Sequence, residues 1–220
     1  MAKYSGGILG PYFGKVGAVV GRKWKGIFYT AGYQKNVSNP RTTAQRKIRA
    51  RFAKLSELGS LFLGTIVRGF NKVCGGVMTE FDMFIKLNWP NVTATSPDDV
   101  TIDYSSLQVA KGNCPGVVFG AVDYGEAHHL TVAATFSGNV GVDGASANDD
   151  VYLCAYCPDM DQCVLSSPAK RSTSSVSVAV PALWDGQEVY LYGFVVADGT
   201  TKHALGTASD SSYCGTGEIQ

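Results

Sequence analysis

Acidic side chains are almost absent from the first third of this 220-residue chain. Residues 1–72 hold one carboxylate, Glu57, against fourteen lysines and arginines, whereas residues 73–220 hold seventeen acids and five bases. A segment of charge +13 therefore precedes one of charge −12. This asymmetry predicts a basic segment with an acidic partner, which is nucleic acid, an anionic surface or the acidic half of another copy. A solvated basic helix face is the alternative.

Long hydrophobic runs are also absent, and a membrane-spanning helix needs about 20 predominantly apolar residues. The sequence therefore excludes a membrane span. The first twenty residues lack the apolar centre and the small-residue cleavage site of a secretory signal peptide. We expect a chain that is cytoplasmic as synthesised and that reaches any virion or extracellular assembly by another route.

Signatures of catalysis are missing as well. No serine lies in the Gly-x-Ser-x-Gly motif of a nucleophile elbow, and no Ser-His-Asp arrangement or carboxylate pair stands out. His128 and His129 precede a predicted strand, where adjacent side chains point to opposite faces. Gly14-Lys15-Val16-Gly17 lacks the Gly-Lys-Ser/Thr of a phosphate loop. We expect no enzymatic activity, no cofactor and no small-molecule substrate.

The six cysteines lack the spacing of a structural zinc site, which usually takes its ligands from two paired motifs. The single Cys-x-x-Cys, Cys154 to Cys157, lies in a predicted strand, and its odd spacing directs the two thiols to opposite faces. Cys154 and Cys163 fall on strands that can pair, so a disulfide between them stays open beside ordinary free thiols. We expect no metal site.

Glycine and aromatic residues are interspersed through residues 1–35, and the aromatic and β-branched residues favour extended structure. We predict a β-hairpin arm with strands at Lys15–Val20 and Gly26–Gln34, joined by a turn across residues 21–25. A lone hairpin is marginally stable and exposes its edges. The arm should therefore pack on the rest of the chain or on another subunit.

Residues 36–97 are predicted to be a basic helical region. Its first helix, over residues 42–58, carries one apolar stripe, with lysines and arginines on the rest of its circumference. Two further helices are predicted at Leu61–Val73 and Thr79–Asn88. The stripe consists of Ala44, Ile48, Phe52 and Leu55.

Residues 98–220 change to short apolar or alternating runs separated by Gly, Pro, Asn and Asp. This spacing is typical of an antiparallel sandwich, so we predict a mainly β, α+β protein that ends in an immunoglobulin or fibronectin type III-like β-sandwich. The predicted strands are Leu107–Ala110, Val117–Asp123, Leu130–Phe136, Val151–Cys157, Gln162–Ser166, Ser175–Val180, Glu188–Ala197 and Lys202–Ala208.

Motifs at both ends of the chain carry a family resemblance. The first are Gly14-Lys15-Val16-Gly17, Val20-Gly21, Trp24-Lys25-Gly26 and Ser38-Asn39-Pro40-Arg41-Thr42 with Gln45, Arg49 and Phe52. The last are Ala197-Asp198-Gly199 and Ser209-Asp210-Ser211-Ser212-Tyr213-Cys214-Gly215. Together they resemble an uncharacterised domain-of-unknown-function family that is widespread in Bacteroidota. The resemblance implies a strand-and-helix region before a fibronectin-like sandwich, and no known activity. The Asn39-Pro40-Arg41-Thr42 segment is also similar to small structural proteins of tailed phages.

We therefore predict a non-enzymatic structural protein that self-assembles in a phage virion or an extracellular, filament-like assembly. The arm and the basic helix dock on the acidic sandwich of a neighbouring copy, because head-to-tail contact uses both charged halves. The alternative is a nucleic-acid-associated protein whose basic region contacts phosphates. The residues expected to make the contacts are Tyr12, Phe13, Lys15, Trp24, Lys25, Phe28, Tyr29, Arg41, Arg46, Lys47, Arg49 and Arg51.

Overall fold

The N-terminal arm is a small antiparallel sheet in the structure, a computed structural model that describes residues 2–3, 10–74, 78–124, 131–200 and 202–219. Its strands are β1 (Ala2–Lys3), β2 (Gly14–Val16), β3 (Val19–Trp24) and β4 (Ile27–Gly32), in the spatial order β1-β4-β3-β2. The turn predicted across residues 21–25 is wrong, because β3 continues to Trp24 and pairs with Ile27. Lys25 and Gly26 form the turn with φ of 44° and 82°, the combination that a type I′ turn needs.

Three helices follow the arm in the described ranges, and each matches a predicted helix. The second ends at Gly69 rather than Val73, where the Gly69 carbonyl accepts a hydrogen bond from Lys111 N at 3.1 Å. The third begins with a capping box, in which Thr79 and Asp82 bond each other's backbone N–H groups. None of these helices is long and apolar enough to cross a bilayer. They are α1 (Thr43–Leu61), α2 (Leu63–Gly69) and α3 (Glu80–Asn88).

The remaining strands form antiparallel sheets of two, three and five strands. The hairpin consists of β5 (Val92–Ser96) and β6 (Asp99–Ile102). The later strands are β7 (Val118–Asp123), β8 (Thr131–Ser137), β9 (Asp150–Cys157), β10 (Gln162–Leu165), β11 (Ala169–Lys170), β12 (Ser175–Ala179), β13 (Glu188–Val196) and β14 (Ser212–Glu218). The three-stranded sheet has the order β12-β8-β7, and the five-stranded sheet has the order β10-β9-β13-β14, with β11 also paired to β9. The predicted mainly β, α+β fold class is thus confirmed.

Beyond the arm, two predicted strands are wrong, and four observed strands, β5, β6, β11 and β14, were not predicted. The wrong predictions are the strands at residues 107–110 and 202–208, since neither range forms a strand in its described residues. In the first range, Val109 N donates to the side chain of Ser211, Oγ, at 3.1 Å instead of to a neighbouring strand. The longest of these unpredicted strands is β14, whose composition is poor in residues with high β-propensity. One of its glycines has a packing reason, because a Cβ on Gly217 would lie 2.6 Å from the Tyr124 ring.

Apolar side chains cover both faces of the five-stranded sheet. Along β9, Leu153, Ala155 and Cys157 face the three-stranded sheet, whereas Cys154 and Tyr156 face the helices. Strand β13 alternates in the same way, because successive side chains of a strand point to opposite faces. The fold is therefore layered: a three-stranded sheet, a five-stranded sheet, and a helical layer that shares the second core.

A buried ion pair lies beside the sandwich core. Arg171 is fully buried and donates to Asp149 Oδ2 at 3.1 Å, to Gly138 O at 3.0 Å, to Gly116 O at 3.2 Å and to Pro115 O at 2.5 Å. Asp149 also accepts hydrogen bonds from the backbone N–H groups of residues 146 and 198. This network joins segments that are far apart in the sequence and satisfies charges that would otherwise be costly to bury.

The expected division into residues 1–35, 36–97 and 98–220 stays a prediction. The β5–β6 hairpin crosses the boundary between residues 97 and 98. Residues of the helical region and of the sandwich, such as Phe62 and Tyr156, lie in one core, with ring centroids 5.1 Å apart. Within the described part of the arm, no residue from 10 to 35 belongs to either core.

Candidate assembly surface

The arm sheet is organised around Gly21 in the middle of β3. Tyr12 crosses this glycine so closely that a Cβ on Gly21 would lie 2.3 Å from Tyr12 O and 2.7 Å from the ring. The Tyr12 hydroxyl also lies 3.5 Å from Thr30 Oγ1 on β4. Tyr12, a predicted contact residue, therefore packs within the arm, and Tyr29 on β4 is half-buried there as well.

Aromatic and cationic side chains share the surface of the arm. Phe13 is 65% exposed, and its ring makes an edge contact with the half-buried Phe28 at a centroid distance of 6.0 Å. Trp24 is 47% exposed. The ammonium of Lys15 lies 3.8 Å from the centroid of the Tyr33 ring, a cation–π contact. The arm thus presents rings and positive charge together without a core of its own.

One predicted contact residue joins the arm to the helical region. Lys25, at the β3–β4 turn, donates from Nζ to Met78 O at 2.7 Å, just before α3. Lys25 was predicted to contact a partner, and in the structure it bonds within its own chain. Phe13 and Trp24 stay largely exposed on the arm beside this contact.

The predicted apolar stripe of α1 is only partly buried. Leu55 lies in the helix-facing core, but Ile48 is 55% exposed, Phe52 is 52% exposed and Ala44 is exposed. The buried residues of α1 all lie in its second half. The first half of the helix therefore presents apolar side chains to solvent among its cations.

The basic residues near the start of α1 differ in their surroundings. Arg41 and Arg46 are exposed, and Lys47 is half-buried. Arg49 is exposed and donates to the side-chain oxygen of Asn39, in the segment before the helix. No carboxylate precedes Glu57 in the sequence, so the neighbouring residues along the chain add only positive charge at this end of the helix.

Arg51 is a packing residue rather than a free cation. Its guanidinium donates to Trp89 O at 2.6 Å and lies 4.3 Å from the centroid of the Trp89 ring. It therefore ties α1 to the segment after α3. Its position among the cations of the sequence gave no sign of this contact, since Trp89 lies 38 residues away along the chain.

An acidic aromatic surface lies on the β13–β14 part of the five-stranded sheet. We call Asp103, Glu188, Tyr190, Tyr213 and Thr216 the tyrosine patch. The two tyrosine rings lie 6.4 Å apart, and Glu188 accepts hydrogen bonds from the hydroxyls of Tyr190 at 3.4 Å and Thr216 at 3.2 Å. Burial, followed by the Glu188 and Asp103 carboxylates, raises the pKa of the Tyr213 hydroxyl. No local pattern marks this patch, because Asp103 lies 85 residues before Glu188 and the β14 residues follow Glu188 only after a further 25 or more.

In the described part of the chain, histidine and cysteine side chains do not gather into a metal-binding cluster. His128 and His129 lie outside the described residues, and His203 Nε2 lies 2.9 Å from Asp143 O. Among the residues that the structure covers, no three His, Cys, Asp or Glu side chains come together as metal ligands would. Cys154 and Cys157 lie in different cores, as their odd spacing predicts.

Comparison with known proteins identifies a family but no activity. Residues 11–215 match the family of unknown function DUF6266, so the match includes both sets of terminal motifs. No curated protein and no solved structure matches the chain. Because the match covers nearly the whole sequence, the chain belongs to the family DUF6266, whose function is unknown.

Proposed function

We propose that this protein is a non-enzymatic structural protein that self-assembles through its arm and α1, in a virion or an extracellular assembly. The observation that carries the proposal is the arm: a four-stranded sheet whose described residues 10–35 join neither core. A small sheet gains stability by covering an apolar face. A second copy that covers Phe13 and Trp24 contributes about 1–3 kcal/mol per side chain.

Strand addition is a second source of binding energy. β2 is the outer strand on one side of the arm sheet as described. Edge strands accept a further strand through main-chain hydrogen bonds, whatever the side chains are. Because this contribution and aromatic burial do not depend on charge, we expect assembly to persist in high salt.

Charge complementarity supports the tyrosine patch as the receiving surface. It carries carboxylates beside aromatic rings, a combination that fits arginine through both charge and cation–π contact. The exposed Arg41, Arg46 and Arg49 near the start of α1 supply such side chains. Contact between two different surfaces is head-to-tail, so it produces either a ring or an open polymer.

Removing the arm tests the proposal. A truncated chain that starts at Asn36 keeps both cores and α1, so it should fold but stay monomeric at micromolar concentration in mass photometry, whereas the full chain forms oligomers. Circular dichroism checks that the two chains keep the same helical and β content. Monomers in both samples, or equal assembly of the truncated chain, would contradict the proposal.

A charge reversal tests the receiving surface separately. Glu188→Lys should weaken assembly, whereas Asp159→Lys should leave it unchanged, because Asp159 is an exposed acid in the β9–β10 turn. The two variants make the same change in net charge. Equal effects would show that overall charge, and not the patch, controls association.

We further propose that residues 98–220 form a fibronectin type III-like sandwich. Apart from the short β11, seven strands follow residue 98 from β7 onward. One sheet contains β7, β8 and β12, which are the first, second and fifth of the seven. The other sheet contains β9, β10, β13 and β14. This arrangement supports the assignment because Greek-key sandwiches divide seven strands between two packed sheets of three and four. An experimental structure with a different strand order would overturn it.

Nucleic-acid binding is the second candidate, and the exposed cations of α1 favour it. Gel retardation with DNA and RNA tests it. Arg46→Gln combined with Arg49→Gln should then weaken binding and reduce its salt dependence, since each phosphate contact adds about one to the slope of log K against log salt. Absence of retardation at low salt would exclude this function.

A further inference from the structure

Two cysteine thiols touch on the helix-facing side of the five-stranded sheet. Sγ of Cys154 on β9 and Sγ of Cys163 on β10 are 3.1 Å apart. The hydroxyl of Thr65 on α2 lies 3.4 Å and 3.9 Å from the two sulfurs. We propose that Cys154 and Cys163 are a disulfide-forming pair, which oxidised glutathione or a similar small disulfide converts to a bond between β9 and β10.

The strand register places both side chains on one face. Cys154 is opposite Leu165, and Cys163 is opposite Tyr156, so the two cysteines are diagonal neighbours across the β9–β10 hairpin. Diagonal side chains are normally further apart than directly opposite ones. Here the sulfurs already approach so closely that a bond of about 2.05 Å requires a movement of about 1 Å. Rotation of the two short side chains and a small shift of the hairpin supply it.

Position also distinguishes this pair from the Cys-x-x-Cys motif that the sequence presents. Cys157 lies in the core between the two sheets, on the opposite face of β9 from Cys154. The two residues of the motif therefore cannot reach each other without a change in the strand. Cys163 is half-buried and Cys154 is fully buried, so the oxidant meets Cys163 first.

The reaction is two successive thiol–disulfide exchanges. The Cys163 thiolate attacks one sulfur of oxidised glutathione, and one glutathione thiolate leaves. Cys154 then loses its proton to solvent, its thiolate attacks Sγ of Cys163, and the second glutathione thiolate leaves. The two protein thiols give up two protons and two electrons, and the disulfide of the oxidant is reduced to two thiols. Burial raises the pKa of the Cys154 thiol, so the second exchange is the slow one.

The bond would fasten an edge of the sheet. β10 is the outer strand in the order β10-β9-β13-β14, and an outer strand is paired on one side only. A covalent link to β9 therefore opposes fraying of β10, whose Cys163 contacts Thr65. Such a link suits a protein that works in an oxidising space, where small disulfides are abundant.

The experiment oxidises the full-length protein with excess oxidised glutathione and compares it with a sample kept in reduced glutathione. After acid quenching, unfolding and alkylation, we expect four alkylated thiols of six in the oxidised sample, and all six in the reduced one. Cleavage at Met160 separates Cys154 from Cys163, so the fragments should stay joined without a reducing agent.

Three variants assign the bond. Cys157→Ser should keep the cross-link, whereas Cys154→Ser and Cys163→Ser should each abolish it. In Cys154→Ser, the half-buried Cys163 should instead retain one glutathione, since no second thiol displaces it. Cys163→Ser replaces a half-buried residue, so the fold is expected to survive and circular dichroism verifies this. Six alkylated thiols in the oxidised wild-type protein, or a cross-link that persists in Cys154→Ser, would overturn the proposal.

Discussion

Replacing Arg171 with methionine should destabilise the protein more than any change of a surface cation. The side chain is fully buried, and its guanidinium bonds Asp149 and three backbone carbonyls. Methionine fills part of the space but donates nothing. The Asp149 carboxylate and the three carbonyls then lose a partner in a place that water does not reach.

The expected loss is about 3–5 kcal/mol, the cost of leaving one charge of a buried pair without its partner. A domain of this size has a free energy of unfolding of about 5–15 kcal/mol, so the variant should fold but with a much lower midpoint. Urea unfolding followed by far-UV circular dichroism measures the loss, and the slope of the transition should not change.

Lys170→Met is the matched control. Lys170 precedes Arg171 in the sequence and also bonds an aspartate, since its Nζ lies 2.8 Å from Asp150 Oδ1. That pair is partly exposed, so its removal should cost less than about 1 kcal/mol. Adding Asp149→Asn to Arg171→Met should recover part of the loss, because no uncompensated charge then remains buried. A loss below about 1 kcal/mol in Arg171→Met would refute the reasoning.

Three further predictions concern the arm, the helical layer and the thiols. Gly21→Val should abolish assembly in mass photometry. It should leave the unfolding midpoint of residues 36–220 unchanged, because the clash with Tyr12 is confined to the arm. A fragment that starts at Asp98 should keep its β circular dichroism but bind a dye for apolar surface, since it exposes the side of the five-stranded sheet that carries Tyr192 and that the helices cover. A dye signal equal to that of the full chain would contradict this. Alkylation of the native protein at pH 8 should miss Cys114 and Cys214, because burial raises the pKa of these thiols to about 11 and about 12, and labelling should increase as the pH approaches those values.

Local signals predicted most of the elements. The helix at residues 79–88 was expected from its apolar residues, and the structure adds a local device that fixes its start, the capping box of Thr79 and Asp82. The turn between β3 and β4 was misplaced for an equally local reason. Lys25 adopts a positive φ that its side chain does not favour, so composition alone pointed to the wrong residues.

Long-range contacts explain what the sequence could not predict. Arg171 and Asp149 are separated by 22 residues, and nothing in either segment marks them as a buried pair. Ile48 and Phe52 carry a regular helical apolar pattern, but whether such a stripe is covered depends on which element reaches it. The members of the tyrosine patch meet only after β13 and β14 pair.

The five-stranded sheet is the opposite case, because the burial of both its faces is visible in the sequence of a single strand. Strand β9 reads Asp-Val-Tyr-Leu-Cys-Ala-Tyr-Cys, and all of its residues from Leu153 to Cys157 are buried. A strand of a sandwich with one solvated face should alternate apolar and polar residues, whereas an unbroken apolar run indicates burial on both faces. The sequence therefore contained the information that this sheet is covered twice. It did not contain the identity of the cover, because Phe62 between α1 and α2, Phe84 on α3 and Tyr156 on β9 form one cluster of rings only in the folded chain.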